Sequence, residues 1–174
     1  MCHYDSMKEH LIEIETHLQE DMLPFALQIE QLNTIYGIST TASCAIIAEI
    51  GTDMKPFKTA EHICSWAGLC PGNNESAQKR KTGKMRKGNA LLRSTLVVCA
   101  HSATRNKNSY FYAQFMRISA HRGKKRAYVA VAHSILIAIY HMLKDGVVFK
   151  DLGADYYNRF NKERKINAYL KKLK

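Results

Sequence analysis

Ser76 stands in the segment PGNNESAQKRKTGKMRKGN, residues 71–89, beside one acid, Glu75, and upstream of six cations: Lys79, Arg80, Lys81, Lys84, Arg86 and Lys87. A serine hydroxyl attacks phosphorus when a base takes its proton and positive charge settles on the phosphoryl oxygens. The cations can supply the charge. The proton acceptor is harder to find, because Glu75 is the immediate neighbour and adjacent side chains of an extended segment point apart. Two readings follow from the residues alone. Ser76 is a nucleophile in a phosphate site, or it is a spacer in a Gly-punctuated loop (Gly72, Gly83, Gly88) whose cations neutralise nucleic-acid phosphates and release counterions.

The remaining reactive side chains point to packing. Cys2, Cys44, Cys64, Cys70 and Cys99 are scattered, with no C-x-x-C spacing. That pattern fits reduced thiols in a cytoplasm and argues against a disulfide framework or a zinc site. His133 and His141, eight residues apart, can share a helix face, but apolar residues surround them and they read as core or rim histidines; His10 and His17 read as solvated. Trp66 reads as packing a short helix. Tyr110, Phe111, Tyr112 and Phe115 read as core aromatics, with base stacking as the alternative. No metal ligand set and no cofactor fingerprint is found.

The positioning elements are helical. Met7, Leu11, Ile14, Leu18, Met22, Phe25, Ile29 and Leu32 recur at steps of three or four on an acidic stretch, which Pro24 should kink or split. That stripe either packs on its own domain or forms a coiled-coil arm. A short apolar strand then ends in Gly37-Ile38-Ser39 and leads into a helix over 41–50, with Ala42, Ala45, Ile46, Glu49 and Ile50 on its periodic face and Gly51 as its stop. Thr59 caps a helix over 60–67 that ends at Gly68. After the basic loop, helices are predicted over 89–105 (Leu91, Leu92, Thr95, Leu96, Cys99 and Ala103 inward), 110–121 and 127–144, the last two separated by a basic turn, RGKKR. The tail holds a turn at Gly153 and a last Lys-rich helix. No period-two strand pattern is convincing, so the class is mainly α. The longest apolar run, 127–143, is slightly short for a bilayer span and contains two histidines, so it reads as a buried helix of a soluble protein.

Charge divides the 174 residues unevenly. Residues 1–33 hold one Lys against seven acids, 34–70 two Lys against three, and 71–174 twenty-three Lys and Arg against five, within an overall net charge of +11. The natural partner of the last portion is a polyanion, and nucleic acid fits better than membrane because no amphipathic lipid-facing helix accompanies the charge.

TIYGISTTASCAIIAEIGTDMKPF, then ICSWAGLCPGNNESAQKRKTGKMRKGNALLRSTLV, then RGKKRAYVAVAHSILIAIYHMLKDG, in that order, resemble the C-terminal transposase domain of the IS-one-ten type of bacterial insertion-sequence transposases. The resemblance runs from about Asn33 to Asp155 and implies an RNA-guided serine recombinase that uses a bridge RNA. It implies that Ser76 is the catalytic nucleophile and that the first block is a helix-hairpin-helix, with Gly37 and Ser39 at the hairpin. Lys79, Arg80, Lys81, Lys84, Arg86, Lys87 and Arg93 are then the nucleic-acid contacts. The hairpin departs from the family pattern, with Tyr36 in place of a Pro and Ser39 in place of a Gly; Ala77-Gln78 replaces small residues after the serine.

Family members also carry an N-terminal RuvC-like domain whose acidic residues bind magnesium. It is expected to lie outside these residues, so that Mg2+ enters only through it and no cofactor belongs to this chain. Four segments result: a coiled-coil-like helix, 1–33; a helix-hairpin-helix-like module, 34–70; the basic loop and a small helical transposase domain, 71–146; and a basic tail, 147–174. Expected partners are DNA, a guide RNA and, through the first helix, a second copy of the chain, in the cytoplasm and without a membrane. The alternative is a truncated, non-catalytic fragment that binds nucleic acid and oligomerises.

Overall fold

Pro24 lacks the N–H that would continue a helix and its ring crowds the preceding turn. In the computed structural model of the chain, which describes residues 2–70, 75–76, 79–80, 87–159, 162 and 166, the first helical stretch breaks there. Helix α1 (Cys2–Met22) gives way to a 3₁₀ turn (Leu23–Phe25) and then to α2 (Ala26–Asn33). The break divides the apolar stripe. Met7, Leu11, Ile14 and Leu18 are exposed on α1, whereas Met22 and Phe25 pack partly against the core and Ile29 and Leu32 are buried in it.

Residues 34–36, in the apolar stretch before Gly37, are the turn that closes α2, with the Thr34 N–H on Gln31 O and Ile35 N–H on Leu32 O. Ile35 is fully buried there, so the apolar run marks a packed turn. Helix α3 (Thr40–Ile50) starts on Ser39, whose side chain accepts from the Ala42 N–H. Its buried face is Ser43, Cys44, Ile46, Ile47 and Ile50, displaced from the expected face, and Glu49 is only half-buried. Asn33 ties the two helices together: it accepts from Ser43 Oγ at 2.7 Å and donates to Thr40 Oγ1 at 3.2 Å. Thr59 caps α4 (Ala60–Trp66) as expected, accepting from the His62 N–H.

Two short strands in the basic segment, β1 (Glu75–Ser76) and β2 (Lys79–Arg80), pair antiparallel, an element no sequence pattern announced. Then follow α5 (Ala90–Ala103), α6 (Tyr110–Arg122) and α7 (Lys124–Asp145). Leu91, expected inward, is exposed, while Leu92, Leu96, Cys99, Ala100 and Ala103 are buried. The basic RGKKR segment is no separate turn either. Gly123, at φ +81°, alone joins α6 to α7, and Lys124, Lys125 and Arg126 form the first turn of α7. The architecture is mainly α.

Helix α7 is the centre of the bundle and touches α2, α4, α5 and α6. It is long and apolar enough to cross a membrane by length and composition. Here its Val131, Ala132, Ile135, Leu136, Ile139, Tyr140 and Met142 are core residues within one cluster that begins at Ile29. Each buried Leu or Ile contributes roughly 1.5–3 kcal/mol. Hydrogen bonds add direction: Tyr140 Oη donates to Phe57 O at 3.0 Å, and Gln31 Nε2 donates to Val147 O at 2.6 Å. Beyond α7 the chain turns at Gly153 (φ +79°) and is helical over 156–159. The Asp151 carboxylate accepts from the Tyr110 N–H at 2.8 Å and holds this segment on the start of α6.

Candidate nucleic-acid interface

A long charged loop needs a fixed base if it is to present one residue reproducibly. Here the base is made of backbone. The chain leaves α4 through Ala67 and Gly68 (φ +72°), with the Leu69 N–H on Cys64 O, and returns through Lys87, Gly88 and Asn89. Gly88 lies so close to the outgoing strand that a Cβ on it would stand 2.6 Å from Trp66 O and 2.7 Å from the Ala67 carbonyl carbon. The Asn89 N–H donates to Trp66 O at 3.3 Å. The Asn89 side chain then does two things. Its carbonyl caps α5 by accepting from the Leu92 N–H at 3.0 Å, and its amide donates to the Glu49 carboxylate of α3. Residues from α3, α4 and α5 thus hold both ends of the loop side by side.

Within the loop, the β1–β2 ladder sets Ser76 opposite Lys79 and Glu75 opposite Arg80. Lys81, Lys84 and Arg86 lie outside the described residues, as do Ala77 and Gln78. Lys87 is exposed at the base, and Arg93 is half-buried in the first turn of α5, its N–H on Asn89 O. These two therefore flank the stem from which Ser76 is carried.

Gly37 and Ser39 belong to a different place. At φ +94°, Gly37 backs onto the far end of α5, where a Cβ would stand 2.7 Å from Ala103 Cα and 2.9 Å from Cys99 O. The fourteen residues of α5 separate this hairpin from the loop base, about 20 Å at 1.5 Å per residue. The Gly37 turn and the loop base are thus too far apart to meet one phosphate.

Two core thiols and one imidazole are withdrawn from solution chemistry. Burial pushes the Cys64 thiol up to about 12 and the Cys99 thiol up to about 11, so both stay protonated at neutral pH. Burial also holds the His133 imidazole below its usual 6.5, with Glu61 opposing. His141 is exposed and pairs with Asp145 at 3.2 Å; His10 and His17 are exposed on α1. The aromatic set does pack: Phe111 stacks on Phe149, Phe115 on Tyr128, and Tyr110 on Tyr157, whose hydroxyl donates to that of Tyr110. Trp66 leans on Phe57 at 5.5 Å yet remains 41% exposed at the loop base.

Sequence reading found the loop and its cations but missed the stem. Asn89, expected as the first residue of a helix over 89–105, is instead the cap of α5, and its bond to Glu49, forty residues away, has no local signature. The transposase IS116/IS110/IS902 family matches residues 29–116, half of the chain, a span that runs from α2 through the hairpin, the loop and α5 into α6. No curated protein matches the chain.

Proposed function

The chain belongs to the transposase IS116/IS110/IS902 family, and on that premise we propose that it acts in DNA transposition by offering Ser76 as the nucleophile for strand cleavage and exchange. The observation that carries this reading is the stem. Backbone contacts with the end of α4 and the start of α5, with a side-chain bond from Asn89 to Glu49 of α3, fix both ends of the loop that bears Ser76, flanked by Lys87 and Arg93 and with Lys79 opposite it in the ladder. Anchoring of that kind suits a residue that must meet one phosphate, since misplacement by an ångström can cost about a hundredfold in rate. The cations hold the DNA backbone and stabilise charge on the phosphoryl oxygens. Magnesium and a guide RNA enter this proposal through the family resemblance, by way of a RuvC-like domain outside these residues.

DNA binding by the loop is tested directly. Replacing Lys79, Arg80 and Lys81 together with Ala should weaken duplex binding and flatten its salt dependence by up to about 2.7 in log–log slope, about 0.9 per lost phosphate contact. An unchanged slope in a salt titration removes the loop from the interface.

The exposed stripe Met7, Leu11, Ile14 and Leu18 supports an oligomerising arm in α1. Four apolar side chains at helical spacing, exposed and without a partner helix among the described residues, fit the seam of a coiled coil. The mass of the chain in solution decides it. Self-association lost on Leu11→Glu with Leu18→Glu is expected, and a monomer at every concentration refutes the arm.

A further inference from the structure

The corner where α6 meets α7 carries charge that the loop does not account for. Arg122, Lys124, Lys125 and Arg126 fall within five residues, and the whole run 120–126 is exposed. Among the described residues none of the four makes an ion pair. Nor is there an acid nearby in sequence, because no Asp or Glu occurs between Glu75 and Asp145. Three of these cations occupy the first turn of α7, which has no acidic residue and no side-chain cap. That is the end of a helix where positive charge is disfavoured. The fold therefore keeps these charges in a place that costs it stability. The corner is also rigid, because Tyr128 is stacked on Phe115 at 4.6 Å and lies 5.0 Å from the His101 ring.

We propose that this corner is a second phosphodiester-binding surface, formed by Arg122, Lys124, Lys125 and Arg126 and separate from the loop that bears Ser76. It lies beyond the residues that match the family. The inference rests on the reading that the chain binds nucleic acid. A phosphate backbone fits better than an acidic protein: no large apolar side chain is exposed within 120–126. Protein interfaces centre on apolar and aromatic anchors, whereas interfaces with nucleic acid are polar and strongly positive. The same chemistry is offered by DNA and by RNA.

The test compares two triple variants of the whole chain that remove equal charge: Arg122→Gln with Lys124→Gln and Lys125→Gln at the corner, and Lys8→Gln with Lys55→Gln and Lys58→Gln as the control. Affinity for labelled DNA and RNA duplexes of equal length is measured between about 50 and 200 mM salt. The corner variant is expected to bind at least about tenfold more weakly than the control, with a log–log salt slope shallower by about 2 to 3. Its melting temperature should be equal to or above that of the parent, because the first turn of α7 has lost unfavourable charge. The charge-conserving variant, Arg122→Lys with Lys124→Arg and Lys125→Arg, should keep parental binding. A larger loss on one duplex identifies whether DNA or RNA occupies the corner, and either result supports the surface. If the corner variant binds like the control, or weakens with an unchanged slope, the proposal is overturned. Parental binding that survives the corner change but is lost on replacing Lys79, Arg80 and Lys81 overturns the corner alone. Failure of the parent to bind either duplex overturns both this surface and the functional reading.

Discussion

Ser76→Ala is expected to abolish covalent attachment of the chain to DNA while leaving duplex affinity and melting temperature at parental values. The proposed chemistry is a transesterification. The serine Oγ–phosphorus bond forms as the phosphorus–oxygen bond to one strand end breaks; the serine proton goes to a base, and the departing oxygen acquires one. One phosphodiester replaces another, so the step is close to balanced and runs backwards onto a new strand end without an external energy source. Only Ser76 supplies the attacking atom in this scheme, and an alanine offers none. Adduct should fall about a thousandfold or more, to background. Stability should hold because the β1–β2 ladder is a backbone pairing that alanine preserves. The measurement is a denaturing gel of labelled duplex mixed with the chain, a RuvC-like partner domain, magnesium and guide RNA. Adduct that survives the substitution assigns the nucleophile elsewhere, and the buried Cys64 and Cys99 thiols, held protonated, are poor substitutes. If the parent forms no adduct under these conditions, the catalytic reading fails and the loop is a binding surface only.

Gly88→Ala should be among the most damaging small changes available. The added methyl would meet Trp66 O and the Ala67 carbonyl carbon at 2.6 and 2.7 Å, distances that real Cβ contacts do not show. Both are backbone atoms, so no side chain can swing aside. The strands must part, and Asn89 moves with Gly88, which loosens the cap on α5 and the bond to Glu49 together. Overpacking of this severity costs roughly 3 kcal/mol. In a chain of this size that lowers the melting temperature by about 6 to 12 °C. Gly51→Ala is the informative comparison. Gly51, unlike Gly88, has a positive φ, +68°, and nothing lies within 4 Å of its would-be Cβ. With ψ at −173° its backbone lies in a region essentially reserved for glycine, so Gly51→Ala should show a conformational penalty of about 1–3 kcal/mol and no clash. A Gly88→Ala chain that melts at the parental temperature would mean that the stem is not the close-packed base described above.

The sequence announced local features well and distant ones poorly. Pro24 split its helix, and Thr59 capped the next, because these effects act over a single turn. The inward face of α7 followed from a long apolar run whose only sensible place was the core. Misreadings came where local pattern and tertiary packing disagree. The apolar stretch before Gly37 carries no period of its own, and burial of Ile35 in a turn is what its apolar character serves. Arg122 to Arg126 looked like a turn because it is charged, although Lys and Arg are good helix formers and a single Gly123 suffices for the corner. For the site, the cations and Ser76 were legible as types. The stem was not, because the partners of Gly88 and Asn89, namely Trp66, Ala67, Gly68 and Glu49, lie about twenty to forty residues away in the chain.

The central position of α7 also has a consequence for synthesis. A ribosome makes α2, α4, α5 and α6 before it makes the helix they all contact. Until Lys124–Asp145 has emerged from the exit tunnel, the apolar faces of those four helices have no common partner, and a nascent chain would carry them open to other chains or to a chaperone. The stem of the loop is held by α3, α4 and α5, of which α4 and α5 lean on α7 and α3 leans on α5. The loop's cations are thus translated well before the fold can hold them in place, and the anchored geometry around Ser76 is a late product of translation.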